Sequence, residues 1–372
     1  MTVLETLTNW LKTNGFTGDQ NLYIKQSDEN KGYGCFAKKN LFAGEILFKI
    51  PRSHIISFNN VYLDSPFFNQ LEKYKSYTKN SPLSNKISAE FLIWIYICEQ
   101  KKSKDSKFFD YLNSLPTIPP NISTWDDNLV EKLKGSNLYH KIVQDKTLFK
   151  DYELLLEEIK KNIIPEDGDQ RFSLEMIDIQ DVLWARNHYL SRRYPGEYGQ
   201  FSSNSENKLQ EFKRERDLQD LGAYVPLLDL LNHKNIENGK EWLTFDLDDR
   251  YLTVLTNFDV NEHMELYSNY GSKPNEMLLY AYGFSIENNI FDSVSLKLCF
   301  MNEKNAVKDY GVFYILKNGI EGVPKVKSFF IKIFFLSFFL SFFLLIVNFY
   351  LFFYILYIKG AMECIIFYVY RQ

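Results

Sequence analysis

Four short polar clusters carry residue types able to bind a ligand or move a chemical group. Asp229, Asn232 and His233 bring together a carboxylate, an amide with both a donor and an acceptor, and an imidazole with one of each. Tyr270 and Gly271, followed by Tyr282, Gly283 and Phe284, bracket a turn and a short apolar run with phenolic hydroxyls and aromatic faces. Gly32 and Gly34 flank Tyr33, so backbone there could lie close against a ligand. Ser191, Arg192, Arg193 and Tyr194 add a cationic cluster. Each cluster alone also fits an ordinary role: a tight turn for the glycines, a capping turn for Asp229 to His233, core packing for the tyrosines, and a favourable helix C-terminus for the arginines. The glycine pair is no dinucleotide fingerprint, because a third Gly is missing and a strand follows it.

Elements that would position these groups can be read from periodicity. Residues 2–16 read as an amphipathic helix with Val3, Leu4, Leu7, Trp10 and Leu11 on one face. Residues 22–58 are short apolar runs broken at Gly32, Gly34 and Gly44, which predicts three or four strands. From about 86 to 190 the period is helical, with Ile87, Phe91, Trp94, Ile95 and Cys98 recurring after a cap at Ser84 or Asn85. Residues 196–220 are polar and read as a surface loop. Strand signals return in the run ending at His233, around Leu243 to Thr256 as a hairpin through Asp248 and Asp249, and before Tyr270. A short helix closes this region at Tyr282.

Composition excludes several classes of function. The 372 residues carry 43 Lys+Arg against 47 Asp+Glu, a net charge of -4, which gives no electrostatic case for direct nucleic-acid binding. Cys35, Cys98, Cys299 and Cys364 are widely spaced, and His54, His140, His188 and His263 show no ligand spacing, so neither a zinc site nor a disulfide framework is expected. The N-terminus lacks the features of a secretory signal.

Taken in order, the glycine turn, the Tyr111-to-Pro116 run, Ser191 to Tyr194, the run ending in Asn232 and His233, Tyr270 to Asn275, and Tyr282 to Phe284 resemble the SET-domain protein methyltransferases. The branch is that of the plant Rubisco large-subunit lysine methyltransferase and the animal actin-histidine methyltransferase, and the similarity covers roughly residues 20–295. It implies an α+β chain: a β-rich SET fold with an inserted helical subdomain, then the start of a helical C-terminal domain and an apolar tail. The expected boundaries are 1–85 and 186–290 for the two SET parts, 86–185 for the insertion, 291–328 for the start of a helical substrate-binding region, and 329–359 for the apolar segment. The turn before the last SET strand departs from the family's usual Gly-Glu and reads Val260, Asn261, Glu262, His263.

The implied activity is transfer of methyl groups from S-adenosyl-L-methionine, without a metal, to a lysine of a histone or non-histone protein. A histidine acceptor, or an inactive SET-like binding module, is the alternative. By the same resemblance Gly32, Gly34, Arg192, Asn232 and His233 hold the methyl donor and Tyr270 is the catalytic residue. Tyr194, Asp229, Tyr282 and Phe284 line or border the acceptor channel.

The tail is a separate problem. Twelve of the 32 Phe residues and only four charges fall within 329–372, and residues 333–358 are 26 positions without a charge. That length can cross a membrane as a helix, and the lysines before it would leave the SET body in the cytosol. The other reading is translated non-coding sequence or a truncation product, in which case the body is cytoplasmic or nuclear.

Overall fold

The computed structural model describes residues 2–27, 32–77, 87–162, 174–199, 203–212, 221–236, 239–301, 307–316, 319–322, 355–357 and 364–367. They fall into two compact units: residues 1–124 with 145–272, and residues 125–144 with 273–372.

The first unit begins with α1 (Val3–Thr13), whose Thr2 and Glu5 form a reciprocal capping box and whose Leu7, Trp10 and Leu11 are buried. Strands β1 (Leu22–Gln26), β2 (Tyr33–Ala37) and β3 (Ile46–Pro51) follow. Helices α2 (Phe58–Asp64) and α3 (Pro66–Tyr77) come next. Helix α4 (Ala89–Lys102) is capped by Ser88, one turn later than Ser84 or Asn85. It departs from the amphipathic expectation: every residue from Phe91 to Glu99 is buried, as befits a helix enclosed by its neighbours. Helix α5 (Phe109–Ser114) packs near α1 and α4. After α6 (Asp127–Glu131) and the start of α7 (Asn137–Asn162), which count with the second unit, the rest of α7 leads to α8 (Ile179–Arg192), whose N-terminus is closed by an Asp178–Asp181 capping box.

Helix α8 delivers the chain into β4 (Arg193–Tyr194). The polar stretch read as a loop contains a helix, α9 (Ser203–Phe212), while residues 200–202 and 213–220 lie outside the described residues. Strand β5 (Ala223–Tyr224) pairs with β4. The apolar run that follows was expected to be a strand and is instead a tight turn and one turn of 3-10 helix, Leu228–Leu230, before the two-residue β6 (Asn232–His233). Leu227 sits at φ 74, ψ -46, a conformation strained for a side-chain-bearing residue, and it turns the chain there. The expected hairpin is present as β7 (Leu243–Leu247) and β8 (Tyr251–Thr256), and β9 (Glu265–Ser268) completes the unit.

Two sheets matter for the site. One has the order β3-β8-β7 and is antiparallel; the other has the order β1-β2-β9-β6, with β9 antiparallel to β2 and parallel to β6. Cys35 faces Leu266 and Phe36 faces Glu265 across one edge of β9, while Asn232 faces Tyr267 and His233 faces Ser268 across the other. The glycine turn and the Asn232–His233 pair, 200 residues apart in the chain, are therefore separated by a single strand.

The second unit contains α10 (Asn275–Tyr282), ended by Gly283 in the left-handed conformation at φ 78 as a helix-stopping glycine should be. Beyond it lie β10 (Ser293–Met301), β11 (Val307–Leu316), β12 (Gly319–Gly322), β13 (Ile355–Tyr357) and β14 (Cys364–Phe367), in the order β12-β11-β10-β14-β13. This corrects the expected helical region at 291–328. Its described residues are antiparallel strands, in keeping with the β-branched and aromatic content of both runs. Among the described residues no helix is long and apolar enough to cross a membrane, and the anchor expected at 333–358 lies outside them except for β13.

Candidate active site

Strand β6 presents two side chains whose partners fix their chemistry. His233 Nδ1 accepts the backbone N–H of Tyr270 at 3.0 Å, and its Nε2 lies 3.1 Å from Asn235 Oδ1. Accepting at Nδ1 leaves the proton on Nε2, so the ring is held as one neutral tautomer. The rings of His233 and Tyr270 lie 5.0 Å apart at an interplanar angle of 33°. Asn232 donates from Nδ2 to Glu265 Oε1 at 2.6 Å.

The turn between β5 and β6 is clamped through its carbonyl oxygens by three of the residues singled out from the sequence. Tyr194 donates its hydroxyl to Leu228 O at 3.1 Å, Arg192 Nη1 reaches Asp229 O at 3.2 Å, and Tyr270 donates its hydroxyl to Leu231 O at 2.8 Å. The end of α8, the strand β4 that follows it and the segment just after β9 thus meet on one strained turn. The clamp offsets the conformational cost of Leu227, and it sets a phenolic oxygen beside a backbone oxygen one residue before Asn232.

Arg192 and Asp229, assigned to different ligands by the resemblance, pair with each other. Arg192 Nη1 pairs with Asp229 Oδ2 at 2.9 Å, the Asp229 side chain is 0% exposed, and Tyr111 donates to the same oxygen at 2.7 Å. Burial pushes the Asp229 carboxyl up, and the Arg192 guanidinium and the Tyr111 hydroxyl oppose it. Behind Arg192, His188 Nδ1 accepts from Nε at 3.3 Å while its Nε2 bonds Pro116 O at 2.8 Å. Burial first, then the Arg192 charge, push the His188 pKa down to about 3, so it is a neutral brace for the guanidinium. The second arginine turns elsewhere, to Glu90 Oε1 at 3.0 Å.

The two glycines differ in purpose. Gly32 has φ +72 and its carbonyl accepts from Ser27 N–H at 2.8 Å, which closes the β1–β2 turn. Gly34 is required by crowding: a Cβ there would lie 2.5 Å from Glu265 Oε1 and 3.0 Å from Asn232 Nδ2. Tyr282 and Phe284 belong to the second unit, at the end of α10 and just after Gly283, with ring centroids 6.1 Å apart. Cys35 is fully buried, and burial, Asp229 and Glu265 all push its thiol up, so it packs and does not react. Among the described residues no group of three or more His, Cys, Asp or Glu could hold a metal ion.

Sequence reading missed Glu265, Tyr267, Ser27, His188 and the carbonyl clamp. A period of two in β9 does put Glu265 and Tyr267 on one face, a signal that was available. The pairing of Arg192 with Asp229 carried none, since it joins a helix end to a turn that looked like a strand.

The fold is the SET fold. A structure of Rubisco LSMT bound to AdoMet superposes with a TM-score of 0.63 at 18% identity, covering 88% of this chain and 69% of that one. The SET domain of LSMT bound to MeLysine and AdoHcy gives 0.62 at 18% identity over 86% and 67%. In sequence, ribosomal lysine N-methyltransferase 4 of Saccharomyces cerevisiae is 28% identical over 69% of this chain and 49% of its own length. Ribosomal lysine N-methyltransferase set10 of Schizosaccharomyces pombe is 24% identical over 82% and 50%, and N-lysine methyltransferase setd6 of Xenopus laevis is 24% identical over 74% and 56%. No family model matches the chain. The chain is thus similar in sequence to SET-domain protein lysine methyltransferases and shares their fold, and it spans about half the length of the two ribosomal lysine methyltransferases named above.

Proposed function

We propose that this protein is an S-adenosylmethionine-dependent methyltransferase acting on a lysine side chain of a protein. The observation that carries the reading is the placement of the Tyr270 hydroxyl 2.8 Å from Leu231 O, immediately before Asn232 and His233 on the adjoining strand. Two oxygens side by side next to a polar binding strand suit transfer of a polarised methyl group, which weak C–H···O contacts can orient.

The residues present fit the methyl donor. Asn232 and His233 would hold its amino group and adenine, the Gly32–Gly34 turn would approach it through backbone, and Arg192, paired with Asp229, would present its remaining donors to the carboxylate. When bound, S-adenosylmethionine supplies a methyl group on a sulfonium. Tyr270 would orient the acceptor amine, and Tyr194 would wall its channel. A desolvating aromatic wall lowers the pKa of a lysine, so the amine reaches the site neutral. We assign Asp229 to holding Arg192 and the turn.

Relatives described as ribosomal lysine methyltransferases make ribosomal proteins the first substrates to try. Tyr270→Phe is expected to lower methyl transfer about a hundredfold or more while S-adenosylhomocysteine affinity changes less than threefold, read by label incorporation and calorimetry. Undiminished transfer by that variant removes Tyr270 from its role.

A further inference from the structure

Glu265 is the site-facing carboxylate that the reading above leaves unused. It stands on β9 opposite Phe36 of β2, and three side chains converge on it. Ser27 Oγ lies 3.0 Å from both of its oxygens, Asn232 Nδ2 donates to Oε1 at 2.6 Å, and the Tyr267 hydroxyl donates to Oε2 at 2.9 Å. All three donors are neutral, so they fix the carboxylate in place without cancelling its charge. The side chain presses so closely on β2 that a Cβ at position 34 would lie 2.5 Å from Glu265 Oε1, and a larger residue there would push the carboxylate aside.

This arrangement decides which way the Asn232 amide faces. An ionised carboxylate only accepts hydrogen bonds, so the amide must turn its NH2 toward Glu265 and its carbonyl oxygen away. The result is a pair of acceptors, Asn232 Oδ1 and the Glu265 carboxylate, joined by one short hydrogen bond and carrying net negative charge. Such a pair selects a cationic N–H donor. Among the groups of S-adenosylmethionine, only the α-ammonium is both positively charged and a hydrogen-bond donor.

We infer that Glu265 is the positioning residue for the methyl donor's amino-acid end: it sets the Asn232 amide and supplies the negative charge that the α-ammonium meets. The inference rests on the cofactor reading of the preceding section. It gives Gly34 a specific purpose, since a side chain there would part Glu265 from Asn232.

The test is binding by the full chain of two ligands that share the adenosine thioether. S-adenosylhomocysteine has the amino-acid end and methylthioadenosine lacks it. Glu265→Gln keeps the shape and removes the charge. It is expected to weaken S-adenosylhomocysteine about tenfold, the scale of one charge-assisted hydrogen bond, and to leave methylthioadenosine within twofold. Ser27→Ala, which loosens the carboxylate without touching its charge, should show the same selectivity at a few-fold. Equal weakening of both ligands would mean a merely structural role and would overturn the inference, as would no change in either. If the wild-type chain binds neither ligand, the cofactor reading itself fails and the inference falls with it.

Discussion

At the residue scale the site rests on pairs that neutralise or orient each other. Arg192 is held by Asp229 in front and His188 behind, with 16% of its side chain exposed against 0% for Asp229. Removing one member of such a pair strands the other charge. Asp229→Asn is accordingly expected to cost about 3 kcal/mol of unfolding free energy, measured by urea denaturation at pH 7. A loss below about 1 kcal/mol would mean the pair is effectively solvated. Asn232, His233 and Tyr270 were each visible in the sequence as chemistry-bearing residues. What stayed hidden was their mutual orientation, because an amide's direction or a histidine's tautomer is set by partners such as Glu265 and Asn235, which no local pattern connects to them.

At the element scale, the parts that were legible are those where the chain's own periodicity decides the structure. Strand β7 alternates apolar and polar residues from Leu243 to Leu247, α10 stops at a glycine with φ 78, and α1 carries its capping box within its first residues. The run from Pro226 to Leu231 misled because a short apolar stretch fits a strand or a buried turn equally well, and the strained φ at Leu227 is imposed by tertiary packing. The strands at 293–301 and 307–316 were likewise mistaken for helix on family expectation rather than on their own residues. The turn before β9 shows a departure with a measurable consequence. His263, in the turn where the family usually carries a glycine, has φ 69 and is exposed. His263→Gly is therefore expected to stabilise the protein by about 0.5–1 kcal/mol, seen as a higher urea midpoint, since the left-handed conformation penalises a Cβ. A lower midpoint would show that the contact of His263 with Tyr23, at 3.4 Å, outweighs the strain.

At the scale of the whole molecule, two buried ionisable groups shape stability in opposite directions. Glu99 on α4 accepts Phe67 N–H at 2.8 Å, its second oxygen has no hydrogen-bond partner among the described residues, and burial pushes its pKa up to about 8 against the opposing hydrogen bonds of Phe67 N–H and the Ser65 side chain. A carboxyl raised in the folded state loses stability as pH climbs from its ordinary value of 4.5 to about 8, because only the unfolded chain ionises freely there. His188, lowered to about 3, loses stability as pH falls below 6.5. Glu99→Gln should thus be more stable than wild type at pH 8.5, with the advantage shrinking by up to about 1.4 kcal/mol per pH unit on acidification and gone below pH 4.5. An advantage independent of pH would mean that Glu99 is not protonated in the folded protein.

The same molecular scale holds the central claim, that one strand between a glycine turn and an Asn-His pair assembles a methyl-transfer site for lysine. Incubating the full chain with methyl-labelled S-adenosylmethionine and cell extract, then mapping the label by mass spectrometry, tests it most directly. The expected result is label on the side-chain nitrogen of a lysine in a protein, lost with Tyr270→Phe. Label on a histidine, or none at all from a chain that binds S-adenosylhomocysteine, would contradict it.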